Sequence, residues 1–130
     1  MNVSYVYDAG ALIALDSDDR RMWLIHRTAL AEGRDVVIPA IVVGQAWRDS
    51  RRQALLARAL NTCQIEPTGL ETAKAAGVLC RQAASSDVVD ATVMVTALVH
   101  RAIIVTSDHK DMTELAHACG ARPRPAVIQV

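Results

Sequence analysis

Apolar and polar positions follow two alternating periods along the chain. Short, β-branched apolar runs at Val3 to Tyr7, Val36 to Ile38, Cys63 to Glu66, Ala102 to Thr106 and Ala126 to Val130 predict strands. Between them, helical patterns are predicted near Ala9 to Leu15, Asp19 to Ala31, Ala40 to Asp49, Arg51 to Leu60, Leu70 to Ala83, Val88 to His100 and Lys110 to Ala118. Gly33, Gly69 and Gly120 fall near segment ends, and Pro39, Pro67 and Pro123 lie in or beside connections. No internal repeat or low-complexity linker interrupts this order. Strands joined by helices must pair in parallel through right-handed crossovers. The expected architecture is therefore α/β: a short, mostly parallel central sheet of about five strands flanked by helices.

In open sheets of this kind, ligands gather beyond the carboxyl ends of the strands. Asp8 ends the first predicted strand and Asp108 the fourth, so both should emerge at that edge. Asp87 and Asp90 open the helix that feeds the fourth strand, at a spacing that puts them on one helix face. Each acid also has a structural explanation, because Asp favours helix N-caps, where its side chain accepts from free backbone N–H groups. As a set they imply more. Two carboxylates about 4 Å apart repel by about 4 kcal/mol at an effective dielectric near 20, so such a cluster calls for a cation. An all-oxygen ligand set suits Mg²⁺ or Mn²⁺.

Composition narrows the class. With 130 residues, 52% hydrophobic and 22% charged, the chain is sized for a single domain spanning residues 1–130. Apolar stretches such as Ala9 to Leu15 are broken by charge before the roughly 18 residues a membrane helix needs. The run from Met1 to Asp8 lacks the basic start and apolar centre of a secretory signal, so a cytoplasmic location is expected. Cys63, Cys80 and Cys119 are odd in number and set among apolar neighbours, which suits reduced thiols. Lys+Arg and Asp+Glu are both 14, so no overall field draws the molecule to nucleic acid. The local cluster Arg48, Arg51, Arg52 and Arg58 offers guanidinium forks that can grip phosphates, or a solvated helix face. Trp23 and Trp47 are read as core, and the histidines His26, His100, His109 and His117 are too dispersed for a zinc or acid-base site.

Four segments, Tyr-Asp-Ala-Gly-Ala-Leu-Ile-Ala-Leu, Ile-Pro-Ala-Ile-Val-Val-Gly-Gln-Ala-Trp-Arg, Ser-Asp-Val-Val-Asp-Ala and Val-Thr-Ser-Asp, together resemble the VapC-like PIN-domain ribonuclease toxins of bacterial toxin-antitoxin pairs. The resemblance runs from about Val3 to Val130, in the family's order and spacing. It implies a PIN-like three-layer fold and a metal-dependent endoribonuclease that hydrolyses RNA phosphodiester bonds with Mg²⁺ or Mn²⁺. Carried over by position, Asp8 matches the family's first acid, Gln45 the place of its second, Asp90 its third and Asp108 its fourth. Thr106 matches the hydroxyl residue just before that last acid, with Ser107 and Asp111 as supporting groups. It further implies RNA phosphates steered by Arg48 and Arg51, a homodimer, and a cognate antitoxin whose tail enters the acidic groove. The apolar side chains of Leu12, Ile13, Met22, Trp23 and Ile25 are candidates for those protein contacts or for core.

Two positions depart from the family pattern. Gln45 stands where glutamate is usual, which removes a negative charge from the site, and Asp87 is the acid placed to restore it. Ala9-Gly10 replaces the hydroxyl residue common after the first acid. The alternative reading is a catalytically weak or inactive PIN fold that acts as an RNA- or protein-binding module. A receiver-like domain is disfavoured, since its acids would concentrate early in the chain, not late.

Overall fold

A computed structural model describes residues 2–130. Five strands, β1 (Tyr5–Tyr7), β2 (Val36–Pro39), β3 (Gln64–Glu66), β4 (Ile103–Thr106) and β5 (Val127–Gln129), form one sheet in the order β3-β2-β1-β4-β5. Every neighbouring pair is parallel, so the sheet is wholly rather than mostly parallel. Tyr5 lies between Val36 and Ile103, and Val6 between Val37 and Ile104. The helices are α1 (Ala9–Asp16), α2 (Arg20–Ala31), α3 (Ala40–Ala46), α4 (Ala54–Leu60), α5 (Leu70–Ala83), α6 (Val88–His100) and α7 (His109–Ala118).

Strand order and handedness fix the layers. The chain steps from β1 to β2 to β3 in one direction, then crosses back to β4 and β5 on the other side of β1. Right-handed crossovers then put α1 to α4 on one face and α5 to α7 on the other. Accordingly α1 packs on α2, α3 and α4, while α5, α6 and α7 pack on one another. Both faces of the sheet are covered, which is why Val6, Tyr7, Val36, Val37, Ile38, Ile104 and Val105 are all essentially inaccessible. Helix α6 is the most enclosed, with every residue from Ala91 to Ala97 buried. Leu12, Met22 and Trp23 belong to this core, whereas Ile13 is 52% exposed and Ile25 half-buried.

Most elements end within a residue or two of their predicted limits, but one connection differs. The helix expected over Ala40 to Asp49 stops at Ala46, Trp47 turns extended, and Asp49 takes a left-handed φ of 54°. Buried Gln53 explains the break. Its Oε1 accepts from the Arg48 N–H at 2.8 Å, and its Nε2 donates to the Ala46 carbonyl at 2.9 Å and to Asp16 Oδ2 at 3.2 Å. The segment expected as one helix over Arg51 to Leu60 accordingly begins as a 3₁₀ turn, Arg51–Gln53, closed by a Ser50–Gln53 capping box.

A buried polar chain pins β1 to the first face. The Tyr7 hydroxyl and His26 Nδ1 are 2.8 Å apart, His26 Nε2 and Thr62 Oγ1 2.9 Å, and Thr62 Oγ1 donates to the Ala59 carbonyl at 2.6 Å. With its one proton spent on Ala59, Thr62 must accept from His26 Nε2–H, so Nδ1 accepts from Tyr7. That is the neutral imidazole, in keeping with burial, which lowers the His26 pKa. The Tyr7→Phe substitution strands Nδ1 in the core and is expected to cost about 1–3 kcal/mol in urea unfolding. An unchanged midpoint and slope would show that the chain contributes nothing.

A close approach sets the spacing between α1 and the turn after β4. A Cβ added at Gly10 would collide with Ser107 Oγ, and would lie 2.5 Å from Ser107 Cβ and 3.2 Å from its backbone N. Glycine is required here by space, not by φ, because the Ser107 side chain occupies the position a Cβ would take. Gly10→Ala is expected to destabilise by about 1–3 kcal/mol through overpacking. Adding Ser107→Gly, which removes both colliding side-chain atoms, should recover most of the loss. If the single variant melts with the wild type, or the double variant gains nothing, the close approach does not govern this junction.

Candidate active site

The winding direction reverses between β1 and β4, and open α/β sheets bind ligands beyond the carboxyl ends of strands at such a point. Asp8 leaves β1 and Thr106-Ser107-Asp108 leaves β4 at this position. The start of α6 brings its N-cap Asp87 and first-turn Asp90 to the same rim. Three of these acids are N-caps. Asp8 Oδ1 accepts from the Ala11 N–H at 2.9 Å, Asp87 Oδ1 from the Asp90 N–H at 2.9 Å, and Asp108 Oδ1 from the Asp111 N–H at 3.2 Å. Capping does not exhaust them, because an ionised carboxylate has about four acceptor sites. The capping also aims the positive ends of α1, α6 and α7 at one place, which favours negative charge there.

Asp8 is the deepest of the set, at 4% exposure. Burial raises its pKa, and hydrogen bonds from the Thr106 hydroxyl and the N–H groups of Ala11, Ser107 and Gly10 pull it back down. The Thr106 hydroxyl is itself fully buried; it donates to Asp8 Oδ2 and accepts from the Asp108 N–H at 2.8 Å. One hydroxyl therefore joins the ends of the two central strands.

Towards solvent the acids crowd together. Asp90, Asp108 and Asp111 each offer an oxygen, all within 4.8 Å of one another. Asp90 is half-buried, and burial first, then the charges of Asp87, Asp8 and Asp108, push it up to about 7. Exposed Asp111 is raised too, chiefly by its hydrogen bond with Asp108 and that neighbour's charge. Both shifts have the sign expected of carboxylates that lack a counterion. Beside them lies a cavity of about 200 Å³ bounded by Ser85, Asp87, Asp90, Asp111, Glu114 and Leu115. All donors are hard oxygens, so the residues fit Mg²⁺ or Mn²⁺.

The sequence-derived candidates separate into two groups. Asp8, Asp87, Asp90, Asp108, Thr106, Ser107 and Asp111 are brought to one rim. Gln45 is exposed on α3, and no hydrogen bond among the described residues joins it to the acids. Arg48 does not share a helix face with Gln45, because α3 has ended before it. Its guanidinium donates to the Gly44 and Trp47 carbonyls at 3.1 and 2.7 Å, serving the end of α3. Arg51 is exposed at the start of the 3₁₀ turn. Glu114 was not singled out from sequence, although its three-residue spacing from Asp111 on α7 places both on one face. No histidine joins the trio of Asp90, Asp108 and Asp111 among the described residues: His100 pairs with Glu66 at 2.7 Å, exposed His109 and Thr113 are 3.4 Å apart, and His117 is exposed near the end of α7.

Solved structures of similar shape exist at low sequence identity, and at that level they speak for the fold alone. A toxin-antitoxin complex from Klebsiella pneumoniae has a chain 22% identical, with a TM-score of 0.69 and 97% of each chain covered. VapBC2 from Rickettsia felis, solved bound to a DNA fragment from their promoter, has one 15% identical, with a TM-score of 0.71, covering 98% of this chain and 99% of that one. Among curated proteins none matches. The PIN domain family, in contrast, matches residues 5–118, from the first residue of β1 to the last of α7. That span holds every acid of the rim, and the chain belongs to the PIN domain family.

Proposed function

We propose that the chain is a divalent-metal-dependent endoribonuclease, the toxin of a toxin-antitoxin pair, acting in the cytoplasm. The observation that carries this reading is the trio Asp90, Asp108 and Asp111, whose oxygens lie within 4.8 Å of one another beside buried Asp8. Membership of the PIN family and the likeness to toxin-antitoxin structures support it. Asp8, Asp90 and Asp108 would hold Mg²⁺ or Mn²⁺, with Asp111 and Asp87 adding charge. When bound, the cation supplies polarisation of a phosphate and a lowered pKa for an attacking water. The chain's own residues place the groups. Thr106 keeps Asp8 and Asp108 in register, Ser107 packs over Gly10, and the α1, α6 and α7 N-termini favour an anionic phosphate. Arg51, and the N–H groups of Arg48 not used by α3, would meet RNA phosphates, while Gln45 would be a polar positioner. An antitoxin and a second copy are the proposed protein partners, and exposed Ile13 and Leu24 on α1 and α2 are apolar surface available to them. Uncharged Gln45 favours one other reading, a PIN fold that binds RNA or protein without cutting.

The direct test is RNA cleavage by the purified chain with and without Mg²⁺ or Mn²⁺. Cleavage should require the metal, and Asp8→Asn and Asp90→Asn should each lower it by about 10²-fold or more with folding intact. Cleavage that survives both variants or excess chelator would sink the site. RNA binding with no cleavage by the wild type would select the binding module.

Asp111 and Asp87 differ in placement, and metal titration should separate them. Asp111 belongs to the trio, so Asp111→Asn is expected to weaken Mn²⁺ binding more than Asp87→Asn does. The reverse order would make Asp87 the compensating charge instead.

The Asp90 shift predicts a pH effect with a definite sign. Its pKa rises from 3.8 to about 7 on folding. A carboxyl raised in this way stabilises the fold fully below about 3.8, and that contribution is lost as pH climbs through about 7. The thermal midpoint of metal-free protein should therefore fall across that range. Asp90→Asn should flatten the fall, and Mg²⁺ or Mn²⁺ should reverse it. Identical profiles for wild type and variant, both indifferent to metal, would contradict the cluster's electrostatics.

A further inference from the structure

We propose that a groove at the amino-terminal edge of the sheet docks an acidic peptide segment carrying an aliphatic anchor. The groove has a volume of about 480 Å³ and lies where α6 ends and β4 and β5 begin, at the opposite edge from the acids. Its wall is aliphatic, with Leu98, Ile103 and Pro123 among the lining side chains, and three arginines, Arg101, Arg122 and Arg124, line it too. All three arginines are exposed, and among the described residues none of their guanidinium groups makes a hydrogen bond or an ion pair.

Charge complementarity identifies the occupant. The chain has no net charge, yet Asp8, Asp87, Asp90, Asp108, Asp111 and Glu114 gather at the carboxyl edge. The arginines at the other edge are left without carboxylates of their own. Guanidinium forks pair with carboxylates bidentately, and the aliphatic wall between them suits a Leu or Ile side chain. Single-stranded nucleic acid is the poorer fit, because the wall has no aromatic ring on which a base could stack. Arg101 also holds a left-handed φ of 51° at the end of α6, a position where glycine is the usual residue. A long cation is kept there against backbone preference. The volume lies within the range of ordinary ligand pockets, and extended peptides bind in this manner through alternate anchors and charged flanks.

The test is fluorescence polarisation with the full chain and a labelled Glu-Asp-Leu-Leu-Glu-Asp peptide. Controls are the Gln-Asn-Leu-Leu-Gln-Asn and Glu-Asp-Gly-Gly-Glu-Asp peptides and a short oligouridylate. Saturable binding is expected, with each control peptide weaker by about tenfold or more. The paired change Arg122→Glu and Arg124→Glu should weaken binding by at least about tenfold, while Arg122→Lys and Arg124→Lys should retain part of it. Amide shifts on the wild type should centre on Arg101, Ala102 and Ile103, which keeps the test valid if the charge-reversed protein folds poorly. RNA cleavage and Mn²⁺ binding by the charge-reversed protein should be unchanged, since the groove lies away from the acids. The proposal is overturned by absent or unsaturable binding, by equal binding of either control peptide, by full affinity after charge reversal, or by oligouridylate displacing the peptide from the groove.

Discussion

The hydrogen bond from Thr106 to Asp8 is the joint on which the site depends. It is possible only because the chain reverses its winding direction between β1 and β4, which makes the two strands neighbours although about 100 residues separate them. The register then sets Tyr7 opposite Val105, so Asp8 and Thr106 come next in line on adjacent strands. A buried carboxylate is costly unless its oxygens are satisfied. Thr106 and the N–H groups around α1 satisfy those of Asp8, and the same hydroxyl accepts from Asp108 and so positions the start of α7. From that start Asp108 and Asp111 face Asp90. A single side chain thus couples the core of the sheet to the exposed acids.

Capping and clustering are two uses of the same aspartates, and the fold reconciles them. One oxygen of each capping acid serves a helix N-terminus, which holds its orientation. The other acceptor sites point the remaining charge at a common space. The raised pKa of Asp90 is the residue of that arrangement: desolvation and three neighbouring acids outweigh the helix ends that favour its charge. Zero net charge conceals this polarity. Acids collect at one edge of the sheet and arginines with unpaired guanidinium groups at the other, so the two edges carry opposite charge.

Much of this was legible in the sequence because periodicity and chain order report on it directly. Short β-branched runs alternating with helical ones specify a parallel sheet, and Asp8 and Asp108 at strand ends follow from topology. What escaped was held by side chains distant in sequence or by close packing. Gln53 stops α3 by reaching Arg48 and Ala46, and no local propensity marks Ala46 as a terminus. The Tyr7, His26 and Thr62 chain joins a strand, a helix and the turn after α4. Gly10 looked like a missing hydroxyl, whereas the space it leaves is filled by Ser107. Asp111 looked peripheral because its distance from Asp90 depends on how α6 and α7 pack.

Gln45 and Asp111 bear on the same question, where the site's charge lies. An acid at position 45 would place negative charge on α3, on the α1 to α4 face of the sheet. Glutamine removes it there, and Asp111 and Glu114 supply charge on α7, on the opposite face. A cation follows carboxylate density, and its energy varies inversely with distance, so a displacement of a few ångströms decides which acids dominate. On the proposed reading the ion would sit towards the α6 and α7 side, next to the cavity bounded by Asp87, Asp90 and Asp111. Buried Asp8 would then lie on the inner side of the acids, and the trio of half-buried Asp90 with exposed Asp108 and Asp111 would set the ion's affinity. Substituting Gln45 by glutamate would add charge on α3, a helix that also contacts α6. On that reading the acids of α7 would make an uncharged residue on α3 a shift of the electrostatic centre more than a deficit.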